Sequence, residues 1–378
     1  MSANSTCDGF APIGDYIEEQ TFRVGNNNSS IEISGINIEK GFIPTVADMM
    51  GVDTSKYKLV PYGFYACNLM HIGRDVTIPV AYNDSQCNIA VSPAYYSFHI
   101  KDEKKDKLLP GYLELIFARE EFGRLAWFHT DGSIRGNLPE KDFKDILIPV
   151  PRIEIQQELV DTYNGLKSLA EQNEALIEPL SKACEAFVSD CQSKYPQEEL
   201  GKYIEVFDKR NTDGNDYLFY GINKDKTFMP TVADTNNLDS SKYKVVNKGD
   251  FVFSGMQTGR DICIRIALYN DIQPIIISPA YTTFKIKDET LIIPQYLFLQ
   301  FKRFEMDRYG WFLSDGSIRS NLEWERFCNI RIPLPSIEVQ QSIVNLYNCM
   351  EEAKRIASEA REQLKTLCPA LIQRAANS

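Results

Sequence analysis

The chain contains two long, collinear copies of one sequence, and this duplication limits what it can fold into. Pro44–Asp48 (Pro-Thr-Val-Ala-Asp) recurs as Pro230–Asp234, and Asp131–Arg135 (Asp-Gly-Ser-Ile-Arg) recurs as Asp315–Arg319. The copies are 186 residues apart in their first part and 184 residues apart in their second part. Solenoid and propeller repeats have periods of roughly 20–50 residues. Each copy is therefore predicted to be a domain.

Composition and charge restrict the class of protein. The 378 residues are 43% hydrophobic and 25% charged, which is typical of a globular protein. No apolar run of about 18 residues is present, so we expect no membrane segment and a cytoplasmic location. The net charge of −11 opposes binding to a polyanion. Any contact with DNA is therefore expected to depend on local basic clusters or on partner proteins.

Each copy combines strand-like and helical patterns. Short β-branched and aromatic runs, such as Phe251–Phe253 and Ile275–Ile277, are separated by Gly, Asn, Asp and Pro and predict strands. One amphipathic helix per copy is predicted near Tyr112–Phe122 and Tyr296–Tyr309. The expected fold class is mixed α/β (α+β).

A long heptad pattern follows each copy, directly after an Ile-Pro-x-Pro segment. The predicted apolar seams are Leu159, Thr162, Leu166, Leu169, Asn173, Leu176, Leu180, Ala183 and Phe187 in the first helix, and Ile343, Leu346, Met350, Ala353, Ala357, Ala360, Leu364, Leu367 and Leu371 in the second. Equal seams of this length favour an antiparallel coiled coil of the two helices. The alternative is that each helix packs only on its own domain. Pro179 and Pro369 predict a kink or an early end.

These patterns predict four segments. They are a first domain at 1–151, a spacer helix at 152–198, a second similar domain at 199–335 and a second spacer helix at 336–378. Antiparallel pairing of the helices would relate the domains by a pseudo-two-fold axis. A helix from about Ile153 to Cys191 would be ~58 Å long at 1.5 Å per residue.

Motifs for catalysis are weak or absent. Ser-Pro-Ala-Tyr, at Ser92–Tyr95 and Ser278–Tyr281, resembles a methyltransferase motif, but no glycine-rich cofactor loop accompanies it, and a strand-terminating turn is favoured. The sequence has no P-loop, and no histidine is duplicated between the copies. We therefore expect no catalytic residues, no metal site and no cofactor in this chain.

Basic residues beside glycines and tyrosines do recur in both copies. They belong to Gly-Arg-Asp, Asp-Gly-Ser-Ile-Arg and Ser-Lys-Tyr-Lys, and such loop cations suit phosphates and guanine edges. The predicted DNA-binding residues are Lys56, Lys58, Arg74, Arg135, Lys242, Lys244, Arg260 and Arg319. The alternative is that each arginine pairs with a neighbouring carboxylate such as Asp75 or Asp131.

The sequence resembles the specificity subunits of type I restriction–modification systems over nearly its whole length. The resemblance rests on two domains that each end in Asp-Gly-Ser-Ile-Arg and then Ile-Pro-x-Pro-x-Ile-Glu-x-Gln-Gln, each followed by a long helix. It implies a non-catalytic reader of double-stranded DNA with two target-recognition domains. It also implies two methyltransferase subunits and two restriction (translocase–nuclease) subunits as partners, to which S-adenosylmethionine, ATP and Mg²⁺ would belong.

Two recognition domains on a rigid spacer predict a bipartite target, with half-sites whose centres are about one helical turn of DNA apart. The expected partner-binding residues, at the start of the two helices, are Gln156, Gln157, Gln340 and Gln341. Two alternatives remain at this point. One is a two-headed coiled-coil scaffold for protein partners, and the other is an adenine methyltransferase-like enzyme.

Overall fold

The computed structural model of the chain describes residues 9–25, 31–46, 49–70, 72, 76–133, 136–231, 235, 238–256, 258–316 and 320–376. The chain divides into two compact units, Met1–Glu171 with Ile356–Ser378, and Gln172–Arg355. Each unit contains one sequence copy and parts of both long helices. Within the described ranges, no helix combines the length and the apolar composition that a membrane crossing requires.

Ten short strands form the sheets of the first unit. They are β1 Phe10–Pro12, β2 Ile17–Glu19, β3 Glu32–Ile36, β4 Phe42–Pro44, β5 Lys58–Val60, β6 Tyr65–Cys67, β7 Val80–Tyr82, β8 Ile89–Val91, β9 Tyr96–Ile100 and β10 Leu147–Pro149. Two four-stranded sheets have the orders β2-β9-β6-β7 and β4-β3-β8-β5, and β1 pairs with β10. β3 and β8 are parallel, and the other pairs are antiparallel.

The second unit repeats this topology strand by strand. Its strands are β11 Gln197–Glu199, β12 Ile204–Phe207, β13 Phe219–Ile222, β14 Phe228–Pro230, β15 Lys244–Val246, β16 Phe251–Ser254, β17 Arg265–Leu268, β18 Ile275–Ile277, β19 Thr282–Ile286 and β20 Arg331–Pro333. The sheets are ordered β12-β19-β16-β17 and β14-β13-β18-β15, with β11 on β20. β13 and β18 form the parallel pair. The predicted duplication of a mixed α+β domain is confirmed.

Aromatic stacking lies at the centre of both cores. Tyr65 stacks on Phe98 with ring centroids 5.0 Å apart, and Phe251 stacks on Phe284 at 4.8 Å. All four side chains are fully buried. Each stacked pair adds about 0.5–1.5 kcal/mol beyond the burial of its apolar area. The alternation of strand side chains therefore fixes the same core position in both units.

Among the described residues, three short α-helices precede the long helix in the first unit, and four precede it in the second. The first unit contains α1 Pro110–Ala118, α2 Glu120–Phe128 and α3 Glu140–Asp145 before α4 Ile153–Lys194 begins; the second contains α5 Thr258–Asp261, α6 Pro294–Phe301, α7 Phe304–Leu313 and α8 Trp324–Cys328 before α9 Ile337–Ala376 begins. The hydroxyl of Tyr112 in α1 donates to the carbonyl of Pro149 at 3.2 Å, and Tyr296 in α6 donates to Pro333 at 3.0 Å. The Ile-Pro-x-Pro segments are thus attached to the core.

The expectation of one amphipathic helix near Tyr112–Phe122 is wrong, because the chain turns at Arg119. This residue has an extended backbone (ψ 138°) and separates α1 from α2. The turn lets Phe117 and Phe122 enter one core, with ring centroids 5.1 Å apart. Arg303 makes the same break between α6 and α7 in the second unit.

The two long helices continue through their prolines. Pro179 lies inside α4 and Pro369 inside α9, so the expected early ends do not occur. An interior proline costs about 3 kcal/mol. Core burial of the final turns offsets this cost, since Val188 enters the core of the second unit and Ile372 enters the core of the first.

The same cores show that α4 and α9 are antiparallel. The core of the first unit contains Leu159 from the start of α4 and Ile372 from the end of α9. The core of the second unit contains Val188 from the end of α4 and Ile343 from the start of α9. In each unit the beginning of one helix therefore packs with the end of the other. Packing of each helix on its own domain alone is excluded.

The predicted seam is confirmed at five positions of α9 and is partly wrong for α4. In α9 Ile343, Met350, Ala353, Ala357 and Ala360 are buried, Leu346, Leu364 and Leu371 are partly buried, and the side chain of Leu367 lies outside the described residues. In α4 the buried apolar positions are Leu159, Ala170, Cys184, Val188 and Cys191, whereas the expected seam residues Leu169, Leu176 and Phe187 are exposed. The predicted residues and the buried residues of α4 both follow a spacing of three and four residues, which fits a heptad. The prediction chose the set with the larger apolar side chains. The structure instead buries several small side chains, among them Ala170, Cys184 and Cys191.

Candidate nucleic-acid interface

Two loops that carry repeated basic motifs converge in each unit. In the first unit the amide of Ile72, just before Gly-Arg-Asp, donates to the carbonyl of Gly136 at 3.1 Å, and Leu138 donates to Leu69 at 2.8 Å. The second unit repeats these contacts, from Thr258 to Ser320 at 3.0 Å and from Leu322 to Gly255 at 2.8 Å. The backbone thus joins the segments that flank Gly-Arg-Asp and Asp-Gly-Ser-Ile-Arg, which are far apart in sequence.

The aspartate of Asp-Gly-Ser-Ile-Arg holds its own loop closed. One carboxylate oxygen of Asp131 accepts hydrogen bonds from the amides of Ser133 at 3.0 Å and Asn137 at 3.2 Å. Hydrogen bonds from the side chain of Ser133, from its amide and from Asn137 lower the pKa of the Asp131 carboxyl. Asp315 accepts from the amide of Asn321 at 3.0 Å in the second unit. These bonds to backbone amides close the loop, and the alternative of pairing with Arg135 or Arg319 concerns side chains outside the described residues.

The four predicted DNA-binding arginines belong to the segments that converge. Arg74, Arg135 and Arg319 lie outside the described residues. Arg260 belongs to the short helix α5, which follows β16 after a short loop. The first residue of this helix, Thr258, is the one that contacts Ser320. The convergence of the two motif-bearing segments is carried by the described residues around these arginines.

Two of the predicted lysines are exposed. Lys56 and Lys242 lie in short 3₁₀ helices and form weak ion pairs one turn from Asp53 (3.8 Å) and Asp239 (3.4 Å). Both aspartates also cap the helix in which the lysine lies. Exposed pairs of this kind contribute about 0–1 kcal/mol. Both ammonium groups therefore remain available to a phosphate.

The other two lysines, Lys58 and Lys244, are largely buried. They lie in the edge strands β5 and β15 of the sheets β4-β3-β8-β5 and β14-β13-β18-β15. Lys58 lies 3.5 Å from a carboxylate oxygen of Glu19, and Lys244 lies 3.7 Å from Asp208. Lys244 also donates to the carbonyl of Tyr281 at 2.8 Å. Among the described residues, no hydrogen bond or ion pair joins these lysine side chains to the converging segments around Ile72 and Gly136 or around Thr258 and Ser320.

A buried glutamine fastens each long helix to its domain. The amide of Leu109 donates to Gln156 Oε1 at 2.9 Å, and Gln156 Nε2 donates to the carbonyls of Lys107 and Pro151, both at 2.7 Å. Gln340 makes the equivalent bonds with Ile293, Leu291 and Pro335, all at 2.9 Å. Each side chain therefore joins the start of a long helix to two loops of its own domain.

These contacts correct the expectation that four glutamines are available to partners. Gln156 and Gln340 are fully buried, and their amides are used inside the chain. Gln157 and Gln341 are exposed, each donating to a side chain one helical turn further on, Asp161 and Asn345. Only the second glutamine of each pair has surface to offer.

Ser-Pro-Ala-Tyr is a turn in both units, as the sequence predicted. The amide of Tyr95 donates to the carbonyl of Ser92 at 3.0 Å, and Tyr281 donates to Ser278 at 3.1 Å. The turn lies between β8 and β9 and between β18 and β19. In the part of the chain that the structure describes, no group of three or more His, Cys, Asp or Glu side chains could hold a metal ion.

Comparison with known families agrees with this geometry. The family model described as "Type I restriction modification DNA specificity domain" matches residues 198–364, which is the second copy with most of α9. The first copy repeats that region in sequence and strand order. The second copy therefore carries a type I restriction–modification DNA specificity domain. Such domains belong to the non-catalytic DNA-recognition subunits of these systems.

Solved structures show the fold over the full chain. The S subunit of a type I restriction–modification system from M. genitalium is 13% identical, with a TM-score of 0.58, and the match covers 99% of this chain and 98% of that one. The HsdS subunit from Thermoanaerobacter tengcongensis is 16% identical, with a TM-score of 0.45 and coverage of 98% and 96%. A comparison with curated proteins finds no match.

Sequence reasoning about this chain missed two buried polar features. One is the glutamine that fastens each helix, and the other is a buried ion pair between Lys226 and Asp307 in the second unit. The glutamines did carry a signal, since both follow Ile-Pro-x-Pro at the same spacing. An amide at the start of a helix can contact either solvent or the domain, and hydrophobic periodicity does not distinguish the two.

Proposed function

We propose that this chain is a specificity subunit that reads a bipartite DNA target, with one domain on each half-site and the helices α4 and α9 setting the gap. The observation that supports this proposal is the repetition of one strand order and one pair of converging loops in two units. The 42 residues of α4 give it a length of about 63 Å. B-DNA presents the same groove face every ~34–36 Å.

Residues that the two domains share are proposed to hold DNA irrespective of its sequence. They include the arginines of Gly-Arg-Asp and Asp-Gly-Ser-Ile-Arg and the exposed lysines of Ser-Lys-Tyr-Lys. Phosphate contacts position a protein, and contacts with base edges provide specificity. We assign base discrimination to the segments in which the copies diverge most: 20–32, 65–70 and 76–90 in the first domain, and 207–218, 252–256 and 262–276 in the second.

Partner subunits are proposed to complete the DNA-binding surface. The net charge of −11 makes the chain alone a weak ligand for a polyanion. We propose two methyltransferase subunits and two restriction (translocase–nuclease) subunits as partners. Their contacts would include the outer face of α4 and α9 and the exposed Gln157 and Gln341. The assembly would work in the cytoplasm, where the DNA of a restriction system is found.

Shortening both helices by one heptad tests the proposal. The deletion removes about 10 Å of helix while keeping the seven-residue repeat. The complex with the methyltransferase should then methylate sites with a shorter gap, or lose binding, and sequencing of methylated adenines measures the gap. Deletion from one helix alone is the control and should prevent folding of the pair. Unchanged gap length with retained binding would contradict the proposed role of the helices.

Exchange of one segment tests which residues discriminate bases and which bind DNA irrespective of its sequence. Replacing 76–90 by its counterpart should change the base preference of one half-site. Arg260→Ala should instead weaken binding to all sequences alike. A new base preference from Arg260→Ala alone would contradict the assignment.

A further inference from the structure

Helices α2 and α7 are identical at four of their six exposed positions and differ at all three interior positions. Of nine aligned positions, four are identical and exposed: Glu121/Glu305, Arg124/Arg308, Trp127/Trp311 and Phe128/Phe312. The positions that face the interior have changed: Phe122/Met306, Gly123/Asp307 and Ala126/Gly310. Exposed positions usually tolerate substitution within about 0.5 kcal/mol, so stability does not explain their retention. A shared function of this face does.

The retained face displays two large aromatic rings. Trp127 and Trp311 are both 49% exposed, and Phe128 and Phe312 are 80% and 79% exposed. The helix ends that carry them are fixed, since Thr130 Oγ1 donates to the carbonyl of Trp127 at 2.8 Å in the first unit. Exposed apolar surface that recurs in two places indicates a binding surface.

The charge on this face favours a polyanion. Arg124 and Arg308 are exposed one helical turn before the phenylalanines, and neither forms an ion pair with a described residue. The retained acid does not neutralise them, because Glu121 lies 3.4 Å from Arg119 and Glu305 lies 3.7 Å from Arg303. The face therefore combines an available guanidinium with aromatic rings.

The position of this face connects it to the converging loops. A Cβ on Gly123 would lie 3.1 Å from the carbonyl oxygen of Val76, and one on Gly310 would overlap the side chain of Ile264, so each helix packs closely on the segment after Gly-Arg-Asp. Each helix then leads within three residues to Asp131 or Asp315, where the second basic motif begins. In each unit the helix therefore lies beside described residues that flank the two basic motifs.

We propose that Arg124, Trp127 and Phe128, and likewise Arg308, Trp311 and Phe312, bind duplex DNA at each half-site. The guanidinium contacts a phosphate, and the rings contact sugars and base edges in the groove without reading sequence. Identity of the residues in two domains with different reading segments fits a task common to both half-sites. This inference rests on the proposed function. A protein partner is the competing occupant, and the available arginine and the continuity with the basic loops favour DNA.

The test compares one double alanine variant with one single alanine control, each in the full chain co-purified with its methyltransferase subunit. Trp311→Ala with Phe312→Ala removes the rings of one unit. Phe304→Ala is the matched control, because this exposed aromatic residue lies at the other end of α7 and is Glu120 in the first copy. The probe is a random-sequence duplex of about 30 base pairs, long enough for both half-sites. Loss of the ring contacts should weaken binding about tenfold or more in the double variant and not in the control.

Tryptophan fluorescence provides a second measurement. Trp127→Phe leaves Trp311 and the partly buried Trp324, whose ring packs on Phe327. Duplex DNA should quench the emission of Trp311 and protect it from iodide. Trp311→Phe in the same background should remove this response.

The outcomes separate the two proposals. If the wild-type complex does not bind DNA, the proposed function fails. If the wild-type complex binds and the double variant binds equally well, only this inference fails. Loss of the methyltransferase from the double variant, with unchanged DNA affinity of the remaining complex, would assign the face to a protein partner and overturn the inference.

Discussion

The two domains place a lysine at the same interior position but provide it with different partners. Lys40 and Lys226 correspond, and both adopt a left-handed backbone, with φ values of 66° and 62°. In the second unit Lys226 Nζ lies 2.6 and 2.8 Å from the two carboxylate oxygens of Asp307. Gly123 occupies the position of Asp307 in the first unit, where Lys40 donates to the carbonyl of Phe117 instead.

This difference shows that the duplicated backbone does not fix the chemistry of its interior. A buried ammonium with a carboxylate partner is tolerated, whereas one that has only a carbonyl acceptor favours the neutral form. Burial accordingly lowers the pKa of Lys40 to about 8. The first domain keeps the turn that the lysine terminates, without the ion pair that fastens this turn in the second domain.

Removal of Asp307 should produce the largest effect on stability. Asp307→Ala leaves Lys226 buried without a counter-charge, and the amide of Ile264 loses its acceptor at 2.9 Å. Breaking a buried pair in this way costs about 3–5 kcal/mol. Hydrogen exchange should show the loss in β16–β19, with β6–β9 unchanged, because the first unit has no such pair. Urea unfolding gives the magnitude.

Glu305→Gln is the matched control for Asp307. Glu305 lies two residues earlier in α7 and pairs through its exposed carboxylate with Arg303, whose side chain is mostly buried. Its loss should change stability by less than about 1 kcal/mol. Equal effects of the two substitutions would show that the buried pair does not fasten the second domain.

Much of the fold could be predicted from the sequence, because duplication supplies two readings of each pattern. Strand runs, the Asp-Gly turns and the start of each long helix follow from local chemistry. The break at Arg119 could not be predicted, since the periodicity of α1 and α2 is continuous and only the shared burial of Phe117 and Phe122 requires a turn. The buried stripe of α4 was missed for a similar reason. Its buried residues include Ala170, Cys184 and Cys191, whose small side chains give a weaker hydrophobic pattern than the exposed Leu169 and Leu176.

The glutamines should show the next largest effect, and it should be equal in the two domains. Gln340→Ala removes the acceptor of the Ile293 amide and two donors to carbonyls. Buried groups left without partners cost about 1–3 kcal/mol each, partly relieved by water, so we expect a loss of about 2–3 kcal/mol. Gln156→Ala should cost the same. Thermal unfolding of the full chain measures both.

Gln341→Ala and Gln157→Ala are the controls for the glutamines. Both side chains are exposed and bond only along their own helix. Their loss should stay within about 0.5 kcal/mol. A cost as large as that of Gln340→Ala would contradict the distinction between the buried and the exposed glutamine of each pair.

Lys40 should make the stability of the first domain depend on pH in the alkaline range. Its folded pKa of about 8 lies below the unfolded value of 10.5. Between these values the unfolded chain retains a proton that the folded chain has released, so raising the pH favours folding. Discounted for partial exposure, the gain is about 1–2 kcal/mol. Lys40→Met should flatten this rise, measured by urea unfolding from pH 7.5 to about 10.5.

Lys105→Met provides the comparison for Lys40. Lys105 is exposed and pairs with Asp102 at 2.7 Å. Its substitution should leave the alkaline rise intact. A rise of the same size in Lys40→Met would assign the effect to other titrating groups of the chain.

The candidate site was predictable only in part, because it depends on contacts between distant segments. The sequence identified the repeated arginine motifs, but not that Ile72 and Gly136 bring them together. The lysines of Ser-Lys-Tyr-Lys were grouped as equals, although strand pairing buries Lys58 and Lys244 and leaves Lys56 and Lys242 exposed. Lys56 and Lys242 end 3₁₀ helices, whereas Lys58 and Lys244 begin strands, and composition does not report that difference.

The smallest effect is expected at a heptad position that the two helices treat differently. Leu176 in α4 is exposed, whereas its counterpart in α9, Ala360, is buried. Leu176→Gln should therefore change the free energy of unfolding by less than about 0.5 kcal/mol. Ala360→Gln forces a larger polar side chain into a packed seam and should cost about 1–3 kcal/mol. Both variants are measured by thermal unfolding of the full chain. A large loss from Leu176→Gln with none from Ala360→Gln would restore the leucine seam that hydrophobicity alone predicts for α4.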